Sequence, residues 1–536
     1  MTLQVDRTRA LLIVVAVALA VHAPSLTNMF AYDDVAVIMR DQRVHSLANL
    51  PHIFATSYWN DDSQALYRPL VNASFALDWA IASNHPDWYH FVNILWNAGA
   101  SALVLLLLAR LYPIAGALAG ALVFAVHPVH VEAVANVVGR AELMAAVFGL
   151  GAALYWIRSR DSRDVLILAP VLLALALLSK ESAIMVVPLL VLLDFATGRL
   201  RWDAISGYLR ERLAGLVVIA AVVLTWIALR ALVLDAFAPA TLDAALEVAP
   251  RGMPRVLTAL QVWPVWLRLL FVPLTLLADY GPRIIMPASR MTPLVTAGLV
   301  TVAALVGGGI AALAANRRRT ALALLWLPIA ALPVSNLLFP IGIIVAERTL
   351  YLPSVALAIA VAGGLTWIHA RNVRFGRAAS AATAAIVLAF SVRTVIRIPE
   401  WHDTGTIFRA LMRDRPDAFR AHWHIARRES AAHRPAAALA AYDSALRLWP
   451  DRARLLREAG QYAFNARDLP FARRIAEHGM AVWPGDAQFP RVLALIALDA
   501  GDTAQAVTYI QRAAALAPDD SVIRRTRDEL APGVNQ

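Results

Sequence analysis

The 536-residue chain contains no cysteine, and only 16% of its residues are charged. Without cysteine it can form neither disulfide bonds nor a catalytic thiolate. Because 59% of the residues are hydrophobic, too little charge remains to cover a soluble domain of this size. The net charge is +11, but the basic residues fall mostly in short loops between apolar runs. They therefore indicate membrane topology, and no nucleic-acid partner is predicted.

Apolar runs of roughly 20 residues, the length needed to cross a bilayer, recur along the first three quarters of the chain. They predict about eleven spans. The first run follows Arg7 and Arg9 and is predicted to be an uncleaved helix, with a signal peptide as the alternative. The spans are predicted at about 10–24, 91–111, 113–126, up to 158, two around a hairpin tip at 179–182, 213–234, 293–315, 320–338, 349–370 and 378–397.

Positive charge predicts the orientation of these spans. The arginine clusters at 7–9, 158–163, 199–212, 317–319 and 371–377 all fall on one side, which is expected to be the cytoplasm. Segment 255–278 begins and ends on the opposite side, so it is predicted to be interfacial or re-entrant. The composition, rich in Ala, Arg and Leu, suggests a bacterial inner membrane, with the N-terminus inside and the C-terminus outside.

From about residue 399 the composition becomes that of a soluble domain. Proline recurs every 34 residues there, and small residues keep the same spacing between the prolines. This period is typical of tetratricopeptide (TPR) repeats, whose paired helices pack closely where small residues meet. We predict an all-α protein with a membrane helix bundle at 1–398, an outer loop at 25–90, and a TPR solenoid of about three repeats at 399–536. The repeating positions are Pro416, Pro450, Pro484 and Pro518, with Ala438, Ala472 and Ala506.

Polar residues concentrate on the predicted outer face. Asp33 and Asp34 follow the first span, where a carboxylate could act as a general base or could simply end the helix in water. If residues 128–142 are helical, then Glu132, Asn136 and Arg140 share a face, either as a polar site or as an ion pair that orients the helix.

Two histidines could bind a metal, but their context does not favour one. His127 and His130 lack the HExxH spacing, and no second cluster of His and acid is obvious. We therefore predict no metal and no other cofactor.

Two further pairs of opposite charge lie on this face. Lys180 and Glu181 form the hairpin tip, where the lysine could hold a phosphate or both could merely keep the tip hydrated. Glu347 and Arg348 precede another span, and Arg348 is the better anion anchor because arginine pairs bidentately with phosphate. Cations and acids on one outer face suggest a negatively charged, lipid-linked substrate.

Several of these motifs, taken in order, resemble those of the transmembrane-and-TPR-containing O-mannosyltransferase-like proteins, within the GT-C class of glycosyltransferases. The resemblance covers nearly the whole chain, and the stretch at 127–144 is its most specific part. The matching motifs are YDD at 32–34, YRPL at 67–70 with Tyr67 and Arg68, HPVHVEAVANVVGRAELM at 127–144, LLSKES at 177–182, ADYG at 278–281 and ERTLYLPS at 347–354.

The resemblance implies a GT-C-like fold and an inverting hexosyl transfer, with mannose the expected sugar, from a polyprenyl-phosphate carrier at the outer face. It implies that Asp33 or Asp34 is the catalytic base, because such enzymes take this base from their first outer loop. Arg348, Lys180 and Arg140 are then candidates to stabilise the leaving phosphate. It also implies that the repeats present or select a polypeptide acceptor.

Three other functions stay open at this stage. One is transfer of the sugar to a glycan or a lipid instead of a protein. Another is a membrane scaffold whose repeats recruit periplasmic partners. The third is a transporter, for which mid-membrane charges and an inverted repeat would be expected, but neither is evident in the sequence.

Overall fold

The computed structural model describes residues 6–59, 66–158, 164–234, 246 and 251–530, so the arginines at 160 and 163 in the predicted inner loop lie outside it. Within the described ranges every regular element is helical, which confirms the predicted all-α class. Two compact units are present, Met1–Ile407 and Phe408–Gln536. The division between them falls inside helix Thr404–Asp414, nine residues after the predicted boundary at 398.

Among the described residues, sixteen α-helices of the first unit are built mainly from apolar sequence, and short 3-10 turns connect several of them. In chain order they are α1 (Arg7–His22), α2 (Leu50–Phe54), α3 (Pro69–Ala82), α4 (Pro86–Leu108), α5 (Ile114–Ala125), α6 (Val131–Val134), α7 (Arg140–Arg158), α8 (Ala169–Ser179), α9 (Val186–Ala196), α10 (Ile205–Val233), α11 (Gly252–Leu260), α12 (Val262–Phe271), α13 (Pro293–Ala314), α14 (Arg318–Ala331), α15 (Val355–Arg371) and α16 (Val373–Arg397).

Six helices in the described residues are long and apolar enough to cross a membrane, and a seventh span results if the bent pair Ile114–Ala125 and Pro128–Val134 is counted as one. Each of the eleven predicted spans contains a helix, but several of these helices are short. Helix α8 and the π-helical turn before it form one apolar helix, Val165–Ser179, which is shorter than the candidate spans, and α9 has only 11 residues. An 11-residue helix would rise only about 16 Å, roughly half the hydrocarbon thickness. The count of eleven therefore stays a prediction.

The outer loop 25–90 is more ordered than its polar sequence suggested. Helix α3 lies within it and starts with a proline, which suits the first turn because no N–H is needed there. Val71 and Phe75, four residues apart, are fully buried against the rest of the unit. This i, i+4 pattern is what turns a loop segment into a packed helix.

The stretch 127–142 does not form one continuous helix, so the interpretation that put Glu132, Asn136 and Arg140 on a shared face is wrong. Helix α6 ends at Val134, and the backbone of Asn136 is extended, with ψ of 119°. The chain then folds back so closely that a Cβ on Gly139 would lie 2.3 Å from the carbonyl oxygen of Ala133. Only glycine permits that approach.

The segment predicted to be interfacial consists of two short helices, α11 and α12, of nine and ten residues. Neither belongs to the helices that could cross a membrane by length and composition. Residues 272–292 follow without a helix. A location at the membrane interface stays a prediction.

The second unit confirms the repeat architecture. Its helices after the shared helix α17 (Thr404–Asp414) form three pairs followed by one more helix. These are α18 (Phe419–Ala431), α19 (Pro435–Leu448), α20 (Ala453–Asn465), α21 (Leu469–Val482), α22 (Gln488–Asp499), α23 (Thr503–Leu516) and α24 (Ser521–Leu530).

The 34-residue spacing has a direct structural cause. Each of the four periodic prolines lies two residues after the last residue of a helix, where it cannot disturb a helical hydrogen bond. Ala438, Ala472 and Ala506 are fully buried where helices pack. At Gly479 a Cβ would lie 2.4 Å from the ring of Phe489, so the neighbouring helix leaves no room for a side chain.

Candidate functional site

Arg348 joins two carboxylates that come from distant parts of the sequence. Its Nη1 donates to Glu132 Oε1 at 2.8 Å, and its backbone N–H donates to Glu132 Oε2 at 3.0 Å. Its Nη2 lies 3.6 Å from Asp33 Oδ2. The side chains of Asp33 and Arg348 are 23% and 17% exposed. The Asp33 carboxylate is therefore held beside a fixed positive charge and stays accessible from outside the protein.

Asp34 has a different environment from its neighbour, since it is fully buried. Its carboxylate accepts backbone N–H groups from Ala31 at 3.0 Å, Val137 at 3.3 Å and Val138 at 2.9 Å. Burial raises the pKa of Asp34 to about 7, and these three N–H groups oppose the rise. The Asp34 carboxylate therefore links the start of the outer loop to the 3-10 turn before α7.

Tyr67 and Arg68 hold Glu181. The backbone N–H of Tyr67 donates to Glu181 Oε1 at 2.9 Å, and Arg68 Nε donates to Oε2 at 2.9 Å. Burial alone would raise the pKa of Glu181, but Arg68 and the N–H of Tyr67 hold it below its usual value. The guanidinium of Arg68 also lies 5.2 Å from the ring centre of Tyr58. These contacts fix the part of the outer loop just before α3 to the hairpin tip.

Lys180 is paired with Glu142, and both side chains are largely buried. Its backbone is extended between the end of α8 and a 3-10 turn, so the helix stops and the side chain turns inward. Burial lowers the pKa of Lys180 well below its usual value, and the nearby Arg68 and Arg348 add to this effect. The three cations are therefore within electrostatic reach of one another.

Arg140 lies in a closed cage of protein groups. Its guanidinium pairs with Asp78, donates to Asn93 Oδ1 at 2.8 Å and to the carbonyl oxygen of Tyr89 at 3.1 Å, and it is fully buried. The donors that a phosphate would need are thus already used by the protein. Its role as a phosphate ligand stays a prediction.

Three more of the predicted site residues are buried in the core. His127 Nε2 lies 2.9 Å from the carbonyl oxygen of Leu270, and its Nδ1 accepts the N–H of Val129, which fits a neutral ring protonated at Nε2. His130 Nε2 lies 2.9 Å from the hydroxyl of Ser354. The Asn136 side chain is buried, and its amide atoms make no hydrogen bond.

Glu347 points away from the residue that follows it. Its Oε1 accepts the N–H of Leu277 at 2.5 Å and the hydroxyl of Tyr280 at 2.7 Å, and Arg397 lies 3.9 Å from Oε2. Burial raises the pKa of Glu347 to about 7. Glu347 anchors the ADYG segment, whereas Arg348 faces Asp33 and Glu132. Two adjacent residues of one motif thus serve different parts of the structure.

The described residues contain no group of three or more His, Cys, Asp or Glu placed to hold a metal ion. Metal independence of the reaction stays a prediction. Sequence reasoning did not single out Glu142 and Asp78, the partners of Lys180 and Arg140. Glu142 lies within the most specific motif. Asp78 lies on α3, where the apolar i, i+4 pattern is the signal that could have found the helix.

No family model matches the chain. Protein O-mannosyl-transferase TMTC3 of Homo sapiens is 30% identical over 434 residues, which cover 75% of this chain and 47% of the relative. Protein O-mannosyl-transferase F38B6.6 of Caenorhabditis elegans is 26% identical over 428 residues, covering 78% and 59%. Protein O-mannosyl-transferase TMTC1 of Homo sapiens is 28% identical over 505 residues, covering 82% and 55%.

The chain spans about half the length of the curated relatives it matches. Among solved structures, one from the APC/C hetero-tetramer Cut9-Hcn1 aligns with 86% of this chain and 93% of its own at 13% identity. Its TM-score of 0.25 is too low to indicate a shared fold. The family predicted from the motifs is confirmed by the sequence relatives, and this integral membrane chain is a homologue of the transmembrane-and-TPR-containing protein O-mannosyl-transferases.

Proposed function

We propose that the protein is an inverting GT-C glycosyltransferase that moves a hexose, mannose first among the candidates, from a polyprenyl-phosphate carrier to a hydroxyl group of a polypeptide. The observation that carries this proposal is the accessible Asp33 carboxylate held 3.6 Å from Arg348. A base next to a permanent cation is what a reaction needs when it removes a hydroxyl proton and releases a phosphate. The names of the relatives support the mannosyl group and the protein acceptor.

Asp33 is the better candidate for the base. It is partly exposed, and the guanidinium of Arg348 lies 3.6 Å from its carboxylate. It would take the proton of the acceptor hydroxyl while the hydroxyl oxygen bonds to the anomeric carbon from the side opposite to the phosphate. Asp34 cannot easily serve, because its oxygens are occupied by three backbone N–H groups and are closed off from solvent.

The donor phosphate would lie near Arg348, with Arg68 and Lys180 around it. Each of these cations now contacts a carboxylate, namely Glu132, Glu181 and Glu142. A phosphate brought close to Arg348 would gain charge-assisted hydrogen bonds without the cost of ordering the guanidinium, because Glu132 already fixes it. The pairs thus preorganise the site for an anion.

The test is sugar transfer in membranes that contain the wild-type protein, supplied with radiolabelled polyprenyl-phosphate mannose and, separately, glucose. We expect label to appear in protein from one of these donors and not in membranes from cells without the gene. Label that moves into lipid or glycan alone would show that the acceptor is wrong. No transfer from any donor would favour a scaffold that recruits partners through its repeats.

We further propose that transfer takes place on the extracytoplasmic face of a bacterial inner membrane, where the TPR unit would also lie. The arginine clusters of the short loops support this orientation. A C-terminal alkaline phosphatase fusion, which matures only outside the cytoplasm, should be active. An inactive fusion combined with a fluorescent C-terminal cytoplasmic reporter would contradict the orientation.

A further inference from the structure

Lys180 is the only lysine in the chain. The sequence has 49 basic residues of the Lys and Arg types, and the other 48 are arginines. A composition this biased toward arginine could leave a stray lysine anywhere, and most basic positions are on the surface. The single lysine lies instead in a buried ion pair of the candidate site. Its chemistry therefore needs an explanation beyond positive charge.

Lysine offers one property that arginine lacks. A guanidinium stays protonated in proteins, whereas a buried ammonium group gives up its proton readily. For holding a phosphate by charge alone, arginine is at least as good, because it forms two parallel hydrogen bonds. A side chain that transfers a proton at this position would have to be lysine, because arginine keeps its proton.

The surroundings of Lys180 suit such a transfer. Glu142 on α7 contacts its Nζ, and the two side chains are 6% and 9% exposed. Burial lowers the pKa of Lys180 most, Arg68 and Arg348 lower it further, and the carboxylates of Glu181 and Glu132 oppose them. Two of these neighbours are permanent cations, so attraction of the donor anion does not depend on Lys180 staying charged.

Building on the proposed function, we propose that Lys180 is the proton donor to the departing phosphate. When the bond between the anomeric carbon and the phosphate oxygen breaks, the electron pair stays on that oxygen. The polyprenyl phosphate thereby becomes a dianion. A proton then moves from Lys180 Nζ to the phosphate, which leaves a neutral amine beside Glu142.

The proton balance closes within one turnover. The acceptor hydroxyl gives its proton to Asp33, and Lys180 gives one to the phosphate. Asp33 then loses its proton to solvent and Lys180 regains one from solvent, so both groups return to their starting states. In the net count the acceptor hydroxyl loses one proton and polyprenyl phosphate, a monoester whose second pKa is about 6, gains one, while the number of protons in solvent is unchanged.

The first experiment compares wild type with K180R in the full-length protein, using steady-state transfer from the polyprenyl-phosphate sugar. We expect kcat to fall about a hundredfold, as for other lost proton transfers. The KM for the donor should stay within about threefold. The residual rate of K180R should rise as the pH is lowered from 8 to 6, because solvent then protonates the phosphate. Arg374→Lys, at an exposed position, is the matched control and should behave as wild type.

A second measurement distinguishes proton donation by the side chain at position 180 from the effect of its length and positive charge. Since the chain has no cysteine, K180C carries a unique thiol, which can be alkylated before the protein is returned to membranes. Alkylation with 2-bromoethylamine restores an amine of nearly the same length, and (2-bromoethyl)trimethylammonium installs a cation with no proton. We expect the amine to raise kcat at least tenfold and the trimethylammonium group to leave it unchanged.

Two results would overturn the inference while the wild type still transfers sugar. They are K180R with a wild-type kcat, whether or not its donor KM is raised, and equal rescue by the two alkylating agents. If K180R fails to insert into the membrane, the comparison of the two alkylated forms of K180C tests the inference instead. Absence of transfer by the wild type would count against the proposed function itself and is thus distinguishable from these results.

Discussion

Replacing Asp33 with Asn is expected to lower sugar transfer about a thousandfold while the protein still folds and inserts. The loss follows from removal of the general base, whose contribution in enzymes is typically a factor of 10² to 10⁴. The Asp33 side chain is partly exposed and only 3.6 Å from Arg348, so an amide of the same shape should fit. The measurement is initial rate per folded protein in membranes.

Asp34→Asn is the matched comparison. Its amide nitrogen would face at least one backbone N–H that the carboxylate now accepts, so the amount of folded protein should fall. The rate per folded molecule should stay within about tenfold of wild type. The assignment would be reversed by an Asp33→Asn variant with near-normal transfer next to a stable but inactive Asp34→Asn variant.

Replacing Arg140 with Gln is expected to give the largest loss of stability. The change leaves the carboxylate of Asp78 buried without its ion pair, and breaking such a pair typically costs about 3–5 kcal/mol. The hydrogen bonds to Asn93 and to the carbonyl oxygen of Tyr89 are also lost or weakened. The thermal midpoint of the purified protein in detergent should fall accordingly.

The double variant Asp78→Asn with Arg140→Gln tests the cause. It removes both charges at once, so it should recover much of the stability that Arg140→Gln alone loses. The folded fraction of either variant should keep a donor KM close to that of wild type. A stable Arg140→Gln variant with a much raised donor KM would instead support the phosphate-binding role predicted from the sequence.

The parts of the fold that could be predicted from sequence were those with a local cause. The 34-residue period reports helix lengths and packing sites directly, so the helix pairs and the prolines after them agree with the structure. Apolar runs predicted where helices lie. They could not decide how many helices cross the membrane, because helices as short as α8 and α9 are apolar without being long enough.

The site was predictable as a set of motifs, and its pairings were not. The chemistry of arginine predicts Arg348 as an anion anchor, and its contact with Asp33 agrees with a shared site. Which carboxylate each cation meets depends on contacts between residues far apart in sequence, such as Arg68 with Glu181 and Lys180 with Glu142. The interruption of the helix at Asn136 could not be predicted from nearby sequence either. The Asp34 carboxylate, about 100 residues earlier, accepts the N–H groups of Val137 and Val138 there.

Substitutions at Asp33 and at Asp34 should impair the protein for different reasons. In a saturation mutagenesis experiment scored by growth alone, both positions would appear equally intolerant. The damage at Asp34 would come from lower protein abundance, because its carboxylate holds three backbone N–H groups. The damage at Asp33 would come from a catalytically silent protein present in normal amounts, so paired abundance and activity screens are needed to distinguish them.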